Sequence, residues 1–202
     1  QRKMFRVTRN NRTAIVVQAV PDHLRTTPGH RLGDFVNVAV YLKSIEVSVP
    51  DIYAADIQKG LLLVEDFGLQ SMRDLIAQSS DHEHDMYLLM TDTLAHIYDK
   101  AEFVGVDLPD YYKTYIHQGR RRVVDWYLPA VLGRKNEDGL VEEFLDVFRD
   151  IEKSLPPAMR RFQHGDYHPG NLMWLPERTG IQQVGLLDFQ EGMMGPAPYD
   201  LV

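Results

Sequence analysis

The stretch His164-Gly165-Asp166-Tyr167-His168-Pro169-Gly170-Asn171 decides how this chain is read, together with Leu172-Met173-Trp174-Leu175 and Gly185-Leu186-Leu187-Asp188-Phe189-Gln190 downstream. An Asp with an Asn five positions later, then a short apolar run, then an Asp closing the next apolar run, is the arrangement that phosphoryl transfer needs. One carboxylate orients and deprotonates an attacking hydroxyl. An amide oxygen and a second carboxylate, arriving from neighbouring strand ends, hold magnesium against the nucleotide phosphates. In this pattern Asp166 is the candidate base, and Asn171 with Asp188 the candidate metal pair. A lone His-x-Asp or Asp-Phe says little, so the weight lies in the ordered combination.

Other readings of the same residues are open at this stage. His164, Asp166 and His168 alternate at period two, so an extended strand would aim them one way, as zinc ligands with Asp188 as a fourth. Against this, Pro169-Gly170 follows at once and Asn171 is left without a role. Arg120-Arg121-Arg122 reads as a solvated face more readily than as an anion site. Asp125-Trp126-Tyr127 offers a stacking face for a sugar, although a core Trp on a long helix is the commoner case. Glu191 either contacts the acceptor or caps its loop. His82 and His84 flank an acidic run and read as a solvated loop.

Working outward, Arg2–Thr8 and Thr13–Ala19 are β-rich runs around the polar turn Arg9-Asn10-Asn11-Arg12 and predict an antiparallel hairpin. After the loop of Pro21 to His30, apolar residues from Phe35 to Ile45 recur at helical spacing and stop before Pro50. Ile52–Ala55 and Leu61–Val64 predict two short strands joined at Gln58-Lys59-Gly60. Helices are expected over Ser71–Ala77, with Ser71 as cap, and over His84–Phe103, Tyr111–Leu132 and Gly139–Leu155. The chain thus divides into residues 1–68, a β-rich part with one helix, and residues 69–202, mainly helical and carrying the loops with the chemistry.

The composition is that of an ordinary globular chain: 202 residues, 44% hydrophobic and 25% charged. Twenty-two basic against 29 acidic residues give a net charge of −7, which repels a polyphosphate backbone and argues against nucleic acid as partner. With no cysteine there is no disulfide or thiolate site, which fits a reducing compartment, so the cytoplasm is the default expectation. No apolar run reaches the roughly 18–20 residues that span a bilayer, and no membrane partner is expected. The sequence leaves the oligomeric state open.

The segment around Asp166 resembles the catalytic loop of the aminoglycoside phosphotransferase and choline kinase-like superfamily, a branch of the protein kinase-like fold. His-Gly-Asp and Asp-Phe-Gln, in place of His-Arg-Asp and Asp-Phe-Gly, point to small-molecule kinases rather than protein kinases. Leu61 to Gly68, His168 to Leu175, and Asp188 through Gly195-Pro196 to Val202 are similar to bacterial kinases that phosphorylate the anomeric hydroxyl of cell-wall amino sugars. The resemblance implies an α+β, two-lobed architecture: a small antiparallel-sheet lobe over a mainly helical lobe. It implies an ATP-dependent enzyme with Mg2+ as cofactor and a small-molecule hydroxyl acceptor, best matched by a sugar such as N-acetylmuramate or N-acetylglucosamine. Aminoglycoside or choline-type acceptors are the alternative, and a non-catalytic nucleotide-binding module is the alternative of another class. It further implies that Glu65, Asp66 and Phe67 form the hinge, whose backbone reads the adenine edge. His164 is expected to orient the loop and Asp200 to tie it down.

Two departures stand out. A strand lysine on the α and β phosphates, paired to a helix glutamate, is usual in such sites. Here Gln18 falls near the lysine's place, and the helix from Phe35 to Ile45 has no glutamate before Glu46. Lys3, Arg6, Arg12 or Arg31 are the candidates to supply the charge. A Gly/Ser-rich phosphate loop is expected before Phe5, and a buried helix is expected to begin at Tyr199-Asp200-Leu201-Val202, so both ends read as cut within the fold.

Overall fold

The computed structural model of the chain describes residues 2–25, 31–78, 80–100, 108–114, 119–156 and 159–201. It opens with β1 (Lys3–Arg9) and β2 (Arg12–Gln18), joined through Asn10 and Asn11 at φ 50° and 60°. Two consecutive left-handed residues make the tight turn whose twist matches that of the strands, and Asn accepts that conformation at low cost. The pairing runs from Lys3 opposite Gln18 to Arg9 opposite Arg12. With β3 (Ile52–Asp56) and β4 (Leu61–Glu65) these strands form an antiparallel sheet in the order β1-β2-β4-β3.

Helix α1 (Leu32–Ser44) crosses one face of that sheet. Its start is set by Asp22, whose two carboxylate oxygens accept from the amides of Leu32 at 2.8 Å and Gly33 at 2.7 Å. These are two of the amides that a helix N-terminus leaves unbonded, and the negative charge suits the positive end of the helix dipole. Leu32 packs with Val17, Ala19, Leu62 and Val64 of the sheet, while Val38, Ala39, Tyr41 and Leu42 join a second cluster. Full burial of a side chain such as Leu42 contributes about 1.5–3 kcal/mol, so α1 binds the two halves through apolar contact.

The second half is helical with two short β-ribbons. Helix α2 (Met72–Gln78) begins at Ser71, whose hydroxyl accepts from the Asp74 amide at 3.1 Å while the Asp74 carboxylate accepts back from the Ser71 amide at 3.2 Å. This reciprocal box is the cap expected of Ser71. Helix α3 (Glu83–Lys100) buries Met90, Thr93, Leu94 and Ile97, spaced as one helical face. The expected extension to Phe103 lies outside the described residues. Further helices are α4 (Leu128–Leu132) and α5 (Leu140–Ser154). Strand β5 (Arg160–Gln163) pairs with β8 (Met193–Pro196), and β6 (Leu172–Trp174) with β7 (Val184–Leu186).

Among the described residues one expected helix is not formed as a single element. Over Tyr111–Leu132 the described residues give a 3-10 turn at Tyr111–Lys113, another at Gly119–Arg121, a π-helical turn at Val123–Tyr127 and then α4. Asp110 starts the first turn by accepting from the Tyr112 amide at 3.0 Å, and Thr114 is extended, which ends it. The wide π turn leaves Trp126 76% exposed, so the core-Trp reading is also corrected. No helix among the described residues is long and apolar enough to cross a membrane.

The β6–β7 ribbon is fastened to the segment after α1. The Leu186 amide donates to the Ser48 carbonyl at 2.8 Å, and the Ser48 hydroxyl donates to the Gln182 carbonyl at 2.6 Å. Phe35 of α1 stacks on Phe189 with ring centroids 4.8 Å apart. Asp188 therefore sits at a strand end held from both sides.

Candidate active site

The loop after β5 is pinned by buried groups. His164 is buried; its Nε2 donates to the Leu187 carbonyl at 2.9 Å, and its Nδ1 accepts from the Asp166 amide at 3.3 Å. That pattern requires a neutral ring, and burial drives its pKa down to about 4. The imidazole thus bridges the loop carrying Asp166 to the residue before Asp188. Asp200 accepts from the His164 amide at 2.7 Å and the Gly165 amide at 2.9 Å. Burial raises the Asp200 pKa, and those two amides work against the rise. Tyr167 closes the anchorage, its hydroxyl donating to the Met90 carbonyl of α3 at 2.7 Å.

With its neighbours fixed, Asp166 itself points outward, its side chain 61% exposed. The Asn171 side-chain amide donates to Asp166 Oδ2 at 2.8 Å and to the Asp166 carbonyl at 3.0 Å. Because the amide nitrogen is committed, Asn171 Oδ1 is the atom left to face a cation. The Leu187 amide donates to the Asn171 carbonyl at 2.9 Å, which brings the Asp188 turn alongside. Asp188 adopts φ 59°, ψ 28°, a left-handed conformation costing about 1–2 kcal/mol for an ordinary residue and less for Asp. Its Oδ1 accepts from Gln190 Nε2 at 2.7 Å. Buried Phe189, stacked on α1, holds the turn in place.

The donor set here is oxygen: a carboxylate, an amide oxygen and a second carboxylate. Magnesium takes one or two protein oxygens and completes its shell with phosphates and water, so these residues fit it. Zinc does not fit. Both His164 nitrogens are committed, and among the described residues no three His, Cys, Asp or Glu are grouped to hold a metal.

Glu65, Asp66 and Phe67 leave β4 at the junction between sheet and helices. The Glu65 amide donates to the Asp51 carbonyl at 2.8 Å, and its carboxylate accepts from Arg178 at 2.7 Å. Arg6 on β1 makes a two-point contact with Asp66 at 2.6 and 2.8 Å and also donates to the Gly68 carbonyl at 2.8 Å. The guanidinium holds the Asp66 carboxyl below the usual range. The Phe67 ring lies against Gly185, where a Cβ would collide with it, and under the Arg178 guanidinium at 5.0 Å. All three side chains are thus structural. Among the described residues, the Phe67 amide has no hydrogen-bond partner.

The last residue of β2 is Gln18, with Lys3 opposite it on β1. Gln18 is exposed, and Val17, on the opposite face, is buried with Leu62 beneath α1. Of the cations proposed to substitute, Arg6 is committed to Asp66 and Arg31 to Asp34, at 2.7 Å. Beside Asp166 lies a cavity of about 490 Å3 lined by Gly165, Asp166, Tyr167, His168, Tyr199 and Asp200. Tyr199 is braced by Tyr111, ring centroids 5.3 Å apart. Three residues here escaped sequence reasoning: Tyr199, His168 in its position beside Asp166, and Arg73, which contacts His168 across 95 positions. Gly170 was the available signal, because the Arg73 side chain passes where its Cβ would stand.

The sequence matches the family described as the phosphotransferase enzyme family over residues 1–202. The chain belongs to that family. It is 30% identical over 200 residues to the N-acetylmuramate/N-acetylglucosamine kinase of Pseudomonas aeruginosa, covering 99% of this chain and 55% of that protein. The chain therefore spans about half the length of the curated relatives it matches. Among solved structures, a choline kinase from Streptococcus pneumoniae superposes with TM-score 0.61 at 15% identity, covering 98% of this chain and 63% of that one. The ternary complex of an aminoglycoside phosphotransferase with streptomycin and ATP gives 0.60 at 12% identity, covering 98% and 69%. The fold is accordingly the α+β kinase-like fold that the resemblance implied.

Proposed function

We propose that this chain carries the catalytic part of an ATP-dependent small-molecule kinase, which moves the γ-phosphoryl group to an acceptor hydroxyl. The observation that carries the reading is the Asp166–Asn171 contact at 2.8 Å, with Asp166 lining a cavity and the Leu187 amide tying the Asn171 backbone to the turn that carries Asp188. In this reading residues 1–68 form the nucleotide-covering lobe and 69–202 the helical lobe, with Glu65–Phe67 between them presenting the Phe67 backbone to a nucleobase edge. Asn171 Oδ1 and Asp188 are the ligands for Mg2+, which when bound neutralises phosphate charge. Asp166 Oδ1, without a hydrogen-bond partner among the described residues, takes the acceptor proton as the oxygen attacks phosphorus. His164 and Asp200 hold that carboxylate in register.

The acceptor proposed is an N-acetylated amino sugar, phosphorylated at its anomeric hydroxyl. The similarity to the Pseudomonas aeruginosa kinase supports this, as does a cavity walled by Tyr199, since an aromatic face suits the apolar side of a pyranose. A second reading, nucleotide binding without transfer, draws on Val17 and Gln18 where a phosphate-binding amine is usual. ADP release measured with N-acetylmuramate, N-acetylglucosamine, an aminoglycoside and choline separates the two. Stimulation by the amino sugars, lost by about 10²–10⁴-fold in Asp166→Ala with ATP affinity retained, is expected. Binding of Mg-ATP with no acceptor-dependent turnover would favour the second reading.

A further inference from the structure

We propose that Arg73 and His168 act as a positioning pair that fixes which way the Asp166 carboxylate faces. The inference rests on the kinase reading, because it concerns the orientation of the proposed base. His168 Nδ1 accepts from the Gly170 amide at 3.1 Å and lies 3.3 Å from the Arg73 guanidinium. Two donors on Nδ1 place the ring proton on Nε2. Nε2 stands 3.6 Å from Asp166 Oδ2, the same oxygen that Asn171 Nδ2 contacts at 2.8 Å. One carboxylate oxygen is therefore flanked by two N–H groups while Oδ1 is left to meet a substrate proton. An exposed carboxylate without such flanking turns freely about its terminal torsion and spends less time aligned for proton transfer.

Arg73 is placed to do this by the backbone. It lies in the first turn of α2, and its amide donates to the Pro169 carbonyl at 3.0 Å. From there its side chain crosses Gly170, and any Cβ at that position would collide with the guanidinium. The pair thus ties the orientation of the base to the helix that follows residues 65–68. Arg73 and His168 are both solvent-accessible, so the restraint is one of geometry, with Coulomb attraction largely screened.

The test uses steady-state kinetics on the full chain with Mg-ATP and the acceptor that the wild type turns over. His168→Ala is expected to lower kcat by about 10–100-fold with KM for ATP within about twofold. His168→Gln, which restores an N–H donor at the reach of Nε2, recovers most of that loss. Arg73→Ala lowers kcat by about tenfold alone and produces no further fall in the His168→Ala background. Losses that multiply in the double variant, a loss confined to KM, or a His168→Gln variant no better than His168→Ala would each overturn the proposal. Imidazole 15N NMR reads the tautomer without turnover: an Nε2-protonated His168 is expected, and an Nδ1-protonated ring refutes the pair. Wild type inert toward every acceptor would instead count against the kinase reading, and the NMR result would still decide the inference.

Discussion

Lowering the pH should loosen this protein through His164, and the size of the effect follows from its surroundings. The ring is buried, donating through Nε2 and accepting through Nδ1, and its pKa falls from 6.5 to about 4. A depressed folded-state pKa means that the unfolded chain takes the proton first as pH falls. The contribution is therefore whole above the unfolded value, declines between about pH 6.5 and pH 4, and is gone below. A shift of this size corresponds to about 3 kcal/mol across the window, of which about 2 kcal/mol is lost by pH 5. Asp200 runs the other way, since its raised pKa lets the folded state take a proton more readily, so the net curve mixes the two. His164→Gln isolates the histidine: it keeps a donor to Leu187 and removes the titration. Urea unfolding near pH 7 and near pH 5 should show wild type losing about 2 kcal/mol more than the variant. Equal losses would refute the assignment of a buried neutral imidazole.

Two further substitutions probe particular contacts. Gly170→Ala should displace Arg73 and crowd His168 Cε1, 2.9 Å from the new carbon, and so reproduce the turnover of Arg73→Ala with circular dichroism unchanged; wild-type turnover would show that the side chains move aside at no cost. Trp126→Ala should change unfolding free energy by less than about 0.5 kcal/mol, because the ring is 76% exposed, whereas a loss of several kcal/mol would mean that the ring is packed.

The elements that sequence revealed are those whose signal is local. The β1–β2 hairpin follows from two β-rich runs around Asn10-Asn11, and α1 and α3 from single apolar stripes. The Asp166, Asn171 and Asp188 pattern is read from spacing alone, and its backbone setting follows from the strands around it. Among the described residues Tyr111–Leu132 is not one helix: the polar run Gly119-Arg120-Arg121-Arg122 interrupts its apolar spacing, and 3-10 and π turns take the helix's place. A core position is the commoner one for a Trp on a long helix, but the long helix does not form and Trp126 is exposed, because burial depends on what packs opposite. Arg73 was invisible for a different reason: its partner is 95 positions away, and only the steric gap at Gly170 records the contact.

The central claim is that Asn171 and Asp188 together offer oxygen to one divalent cation on the bound nucleotide. Titration of Mn2+ into the ATP complex, followed by electron paramagnetic resonance in wild type, Asn171→Ala and Asp188→Ala, tests it without knowledge of the acceptor. Each substitution should weaken Mn2+ binding by at least about tenfold while unfolding midpoints stay close to wild type. Affinity unchanged in both variants would contradict the account.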